Sequence, residues 1–235
     1  MVAAIVLQYS QIPKDTTIKI FEAYYAGKYS TSKHGMAFIM VIIGLTGSIA
    51  MGKSTTAQMF TKMHIPVYDA DKTVHRLFER GGEAVHKIRL FFPQSIVDDA
   101  VDRVKLSAIV FKDTEKLRIL EEIVHPLVNL KRHQFLLTQQ RRKTKIVVLD
   151  VPLLFETRRR YSCDYVFVAS APKFLQRQRA LARKGMTFDR FNAILARQMP
   201  DHKKRHLADF VIPTGLGKAY AYRILKKKLS KIKTD

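Results

Sequence analysis

The stretch Gly47-Ser48-Ile49-Ala50-Met51-Gly52-Lys53-Ser54 constrains this chain more than any other, because it fits G-x-x-x-x-G-K-[ST]. Such a loop works only where a buried strand ends and a helix begins. Upstream, Met40-Val41-Ile42-Ile43-Gly44-Leu45-Thr46 is a short apolar run with β-branched residues and reads as a buried strand. Downstream, Thr55 to Met63 carries apolar residues at Met59, Phe60 and Met63, the spacing of a helix packed on a sheet. The glycines let the backbone curl, so that N–H groups from Gly47 and from Ala50, Met51, Gly52, Lys53, Ser54 and Thr55 point at phosphate oxygens. The helix adds the positive end of its dipole. Lys53 is placed to neutralise the β- and γ-phosphates of a nucleoside triphosphate such as ATP, and Ser54 to ligate Mg²⁺.

Such a site needs a base or a metal ligand beyond the loop. Ile65-Pro66-Val67-Tyr68-Asp69 reads as a second short strand, ending in Asp69-Ala70-Asp71. Carboxylates at the C-terminal edge of a parallel sheet stand where ligands bind. Either Asp69 or Asp71 could accept a hydroxyl proton or hold Mg²⁺ through water. Asp71 also suits the N-cap of a helix running from Lys72. Lys145-Ile146-Val147-Val148-Leu149-Asp150 is a third strand, and an acid ending an apolar strand could hold Mg²⁺ through water.

Residues 72–143 read as helical throughout, with no strand. Gly81-Gly82 breaks one helix and Pro93 another; Asp98 to Asp102 forms a polar turn; His125-Pro126 separates two further helices. This block is too long for a simple crossover and reads as a helical insert over the ligand edge. Asp164 to Ala169 and Ala208 to Ile212 complete five strands. Between them, Pro172 opens a helix with Gln176, Arg179 and Arg183, and Thr187 caps a second running towards Gln198. Arginines such as Arg183 and Arg197 on a flap could close over ATP. A basic helix follows Gly217. Strands alternating with helices argue for a five-stranded parallel α/β sheet.

Composition bounds the rest. The chain has 235 residues and a net charge of +22, but the charge is uneven. Residues 1–130 hold 16 Lys/Arg against 13 Asp/Glu, and residues 131–235 hold 26 against 7. Such a field suits anionic partners, although a solvated basic surface explains much of it. Lone Cys163 excludes an internal disulfide and a cysteine-based zinc cluster. No run of 18 apolar residues is present, so no membrane span is expected. Residues 1–39 resemble no secretory signal and carry Asp15 and Glu22, unlike an organelle-targeting segment. They are expected to lie outside the fold, with an upstream start codon as one origin.

The ordered set of motifs resembles the dephospho-CoA kinase family, from Met40 to about Gly217. Gly44 to Thr55 is similar to the family's start, and Val67-Tyr68-Asp69-Ala70-Asp71 to its second strand and catalytic aspartate. Asp102-Arg103-Val104-Lys105-Leu106, Val110-Phe111 and His125-Pro126 follow in family order. Pro152-Leu153-Leu154-Phe155-Glu156 resembles its P-L-L-x-E, and Gln176, Arg179 and Arg183 its Q-x-x-R-x-x-x-R. The resemblance implies a P-loop NTPase core (residues 40–71 and 144–235), a helical insert that binds the CoA moiety (72–143) and a helical lid (about 176–200). It implies transfer of the ATP γ-phosphoryl group to the ribose 3′-hydroxyl of dephospho-CoA. Asp71 would be the base, and Lys53 and Mg²⁺ would offset phosphate charge. Arg183 would be a lid contact, and Arg103, His125 and Leu153 would join Asp71 in holding the acceptor. It further implies a cytoplasmic enzyme with no membrane or specific nucleic-acid partner; the oligomeric state is open, with a monomer favoured.

Two positions depart from the family pattern. Ala50 and Met51 stand where glycine or serine is usual, and Met51 is expected to crowd a turn that needs φ > 0. Pro213-Thr214-Gly215 replaces the usual asparagine before glycine, which puts the family's adenine contacts there in question. Two other readings stand beside this one. Another P-loop nucleotide or metabolite kinase would share the fold. A nucleic-acid-binding ATPase would use the basic half, which lacks an aromatic–basic RNA motif.

Overall fold

The computed structural model describes residues 39–110, 113–156 and 163–232. The N-terminal stretch 1–38, Phe111 and the Arg158-Arg159-Arg160 cluster lie outside the described residues. Strands β1 (Val41–Thr46), β2 (Val67–Asp69), β5 (Ile146–Asp150), β6 (Tyr165–Ser170) and β7 (Phe210–Pro213) form one sheet in the order β2-β5-β1-β6-β7. Every pairing in it is parallel, as the alternation of strands and helices predicts. All five strands therefore end on one edge, and β1 ends at its centre. Central β1 is buried along its whole length, which is why it reads as an unbroken apolar run.

The two-residue period of a strand splits the core in two. Ile42, Val147, Leu149, Val166 and Val168 face the insert side. Val41, Ile43, Leu45, Val148, Phe167 and Ile212 face the other way. There they meet Met59 and Phe60 of α1 (Lys53–Lys62), and Ala221 and Leu225 of α9 (Lys218–Leu229).

The insert side comprises α2 (Ala70–Phe78), α3 (Val85–Phe91), α4 (Arg103–Val110) and α5 (Thr114–Arg141). Three expectations are corrected here. First, the insert is not wholly helical: β3 (Ile96–Val97) and β4 (Ala100–Val101) pair as an antiparallel hairpin. Asp98 and Asp99 sit at φ 48° and 59° between them, the two positive dihedrals that a tight hairpin turn requires. Second, α5 runs unbroken through Pro126. A mid-helix proline costs about 3 kcal/mol. Pro126 is exposed, so the Glu122 carbonyl it leaves unpaired can meet water. Burial of Leu120, Ile123, Val124 and Val128 on the opposite side, at about 1.5–3 kcal/mol each, outweighs that cost. Third, the cap of α2 is Asp69, whose carboxylate accepts from Lys72 N at 2.9 Å, and not Asp71. Tyr68 fastens this half to the sheet, donating to Val128 O at 3.0 Å.

After β6 come α6 (Lys173–Leu181) and α7 (Phe188–Ala196), the latter capped by Thr187 as expected. Helix α8 (Asp201–Leu207) is polar in sequence and was not anticipated. It forms because Ser170 Oγ donates to Asp201 at 2.7 Å, and Lys204, fully buried, pairs with Glu156 at 2.7 Å.

Candidate active site

The loop between β1 and α1 is shaped by close approach on both sides. A Cβ on Gly47 would lie 2.7 Å from Ala169 O, so the loop can graze β6 only with glycine there. Gly52 sits at φ 89°, and a Cβ on it would lie 2.8 Å from Thr214 Oγ1. The other left-handed residue is Ala50, at φ 60°. Met51 does not crowd the turn, contrary to expectation. Its side chain is buried beneath the loop, where Sδ accepts from Ala171 N at 3.2 Å. Thr214, at the departure from the family pattern, is a brace. Its hydroxyl donates to Met51 O at 2.7 Å, and Arg179 Nη2 donates to Thr214 O at 2.8 Å.

Four charged groups converge on the strand ends. Asp69 and Asp150 are register partners at the ends of β2 and β5. Lys53, leading α1, places Nζ 2.5 Å from Asp150 Oδ1. Because Asp69 serves as the cap, Asp71 enters the first turn of α2 with its carboxylate uncommitted. Its Oδ1 is buried and has no hydrogen-bond partner. Burial pushes the Asp71 carboxyl above the ordinary aspartate range, with Lys53 opposing. Burial pushes Asp150 upward as well, again opposed by Lys53.

These groups open onto a cleft of about 1700 Å³. Loop residues 47–50 and 52–55, together with Asp71, Arg103, Leu153 and Arg183, line it. Met51 and Asp150 are buried beneath it. His125 is not among the residues that line it; it is buried on α5, next to exposed Pro126. Arg103 Nη1 lies 2.9 Å from His75 Nδ1, and burial, then Arg103, lowers the His75 pKa. Arg190 and Gln198 also line the cleft, and sequence reasoning gave them no role. The signal for Arg190 was its place seven residues, about two helical turns, before Arg197. Among the described residues no group of three or more His, Cys, Asp or Glu side chains is gathered to hold a metal. Ser54 and Asp71 line the cleft as hard oxygen donors, with Asp150 beneath them.

A family model described as dephospho-CoA kinase matches residues 41–216. A curated protein of that name from Paramagnetospirillum magneticum is 55% identical over 166 residues, covering 71% of this chain and 78% of its own length. Another, from Mesorhizobium japonicum, is 51% identical over 178 residues, covering 76% and 89%. A crystal structure from Thermus thermophilus superposes with a TM-score of 0.71 at 32% identity, covering 83% of this chain and 98% of that one. A dephospho-CoA kinase structure from Campylobacter jejuni gives 0.56 at 25% identity over the same shares.

Proposed function

The chain belongs to the dephospho-CoA kinase family, the ATP-dependent enzymes of the last step of coenzyme A synthesis, and we propose that Asp71 is its catalytic base. The observation that carries this assignment is the buried, unpartnered Oδ1 of Asp71 beside the Lys53–Asp150 pair. A carboxyl raised by burial is the better proton acceptor. In the reaction the ribose 3′-oxygen of dephospho-CoA attacks the γ-phosphorus of ATP. The bond from that phosphorus to the β,γ-bridging oxygen breaks, ADP leaves, and the hydroxyl proton passes to Asp71.

Each remaining part takes its role from position. The amides of Gly47 and of Ala50 to Thr55 hold the phosphates, with Lys53 against the β- and γ-oxygens. Arg183 faces the same space from the lid. Arg103 and Leu153 bound the acceptor side of the cleft, where residues 72–143 serve as the CoA-binding insert. Ser54 and, through water, Asp150 would hold Mg²⁺, which would offset phosphate charge. Among the described residues no helix is long and apolar enough to cross a membrane. The family reading makes this a cytoplasmic enzyme acting on ATP and dephospho-CoA, its oligomeric state open with a monomer favoured.

The test incubates the protein with ATP, Mg²⁺ and dephospho-CoA and follows CoA and ADP together. Equal formation of both is expected. Folded protein that makes no CoA would overturn the reading.

A further inference from the structure

Both ends of the lid segment reach one residue of the phosphate loop. Gln176 Nε2, on α6, donates to Ile49 O at 2.9 Å. Gln198 Oε1, just past α7, accepts from Ile49 N at 2.9 Å. The two backbone groups of Ile49 are thus taken up by two side chains from opposite ends of the lid. A glutamine amide suits this task because it carries a donor and an acceptor but no charge. A carboxylate or ammonium here would add a full charge beside the phosphates.

A second, independent contact joins the same parts. Ala50, held at φ 60°, is buried against Ala180 of α6 and Phe191 of α7. Ile49, Met186 and Leu195 pack around them. Ala50, one of the two loop positions that depart from the family pattern, is therefore an apolar seat for the lid. The trailing end is also tied to the core. Met199 N donates to Glu156 Oε1 at 2.9 Å, and the same oxygen pairs with buried Lys204. Arg197, adjacent to Gln198, lines the cleft, as does Arg183, about two helical turns beyond Gln176.

We propose that Gln176 and Gln198 are positioning residues that lock the lid to the phosphate loop through the backbone of Ile49. The lid arginines and the loop amides are then set as one unit. This rests on the reading of residues 176–200 as a lid in a phosphoryl-transfer enzyme.

The chain has no tryptophan, so Phe188→Trp, on the exposed face of α7, gives a single fluorescent reporter on the lid. This protein should make CoA and change its emission with ATP. Adding Gln198→Ala should raise the KM for ATP, and the ATP midpoint of the emission change, by roughly tenfold. The KM for dephospho-CoA should stay as it was, and the Tm should fall by no more than about 2–4 °C. Gln176→Ala should act the same way. The double variant should be little worse than the worse single one, because both act through one residue. Unchanged ATP dependence, effects that multiply, or a fall in Tm with KM intact would each overturn the proposal. A reporter protein that makes CoA but stays silent to ATP overturns the lid reading, and the proposal with it. One that makes no CoA overturns the functional reading.

Discussion

Lys53 Nζ stands 2.5 Å from Asp150 Oδ1, and this pair ties the phosphate loop to the end of β5. The Asp150 side chain is only 4% exposed, so Lys53 compensates a charge that water hardly reaches. The lysine has two tasks: it neutralises the sheet edge, and it faces the space where the triphosphate sits.

Lys53→Met removes both. Turnover should fall by roughly 10²–10³-fold, the scale of losing one preorganised charge partner in phosphoryl transfer. Asp71 and Asp150 lose the cation that holds their carboxyls down, so their pKa values should rise further. Steady-state CoA formation and carboxyl titration by NMR measure the two effects. Turnover within threefold of the parent would remove Lys53 from the chemistry.

Asp71→Asn should lower turnover by roughly 10²–10⁴-fold while leaving the KM for ATP in place. The stability effect has the opposite sign. With its pKa raised on folding, the native Asp71 keeps a proton that the unfolded chain has already lost, so stability falls as pH rises through that window. Asparagine removes the penalty, and at neutral pH Tm should rise by about 2–4 °C for each kcal/mol regained. The acid limb of the parent pH–rate profile should lie above the ordinary aspartate value and vanish in the variant. A profile whose acid limb survives the substitution would assign that limb to another group.

Arg183→Ala should lower kcat more than it raises KM, by roughly 10²-fold or more if the guanidinium meets charge developing in the transferred group. Arg183→Lys should recover only part of this, because an ammonium lacks the planar fork. Equal rates for all three proteins would reduce Arg183 to a surface charge.

Thr214→Val keeps the shape but deletes the donor to Met51 O. Leaving that buried carbonyl unpaired should cost about 1–3 kcal/mol, at about 2–4 °C per kcal/mol. Weaker ATP binding should accompany it, since Gly52 packs directly on this side chain. Calorimetry and an ATP titration check both parts. An unchanged Tm would show that the brace is dispensable.

Lys204→Met should be the most destabilising of these changes, at about 3–5 kcal/mol, because Glu156 would remain buried without its cation. Lys204→Met combined with Glu156→Leu should recover much of the loss in thermal unfolding. A double variant as unstable as the single one would show that Lys204 matters through packing instead.

The parallel sheet was legible because both faces of its strands are covered, and such strands read as unbroken apolar runs. Lys53, Asp71 and Asp150 were legible because strand ends and helix starts are chemically marked. The hairpin at 96–101 was missed although Asp98-Asp99 between two apolar pairs is its signal. Each strand has only two residues, too few for any periodicity to register. Pro126 read as a break because local propensity says nothing of the apolar side chains that α5 buries on both sides of it. Helix α8 has no apolar stripe at all; its reason to form lies in Glu156 and Ser170, far away in sequence.

Motif order by itself determined the phosphate loop, its flanking elements, the acidic strand ends and the family, because each depends on residues close together in the chain. Only the tertiary structure decided which aspartate is the cap and which is uncommitted, where Met51 goes, and that His125 is buried on α5 and does not line the cleft. It alone brought Gln176 and Gln198 to Ile49. Those outcomes depend on contacts between distant segments, and local sequence pattern does not encode the geometry of contacts made at long range.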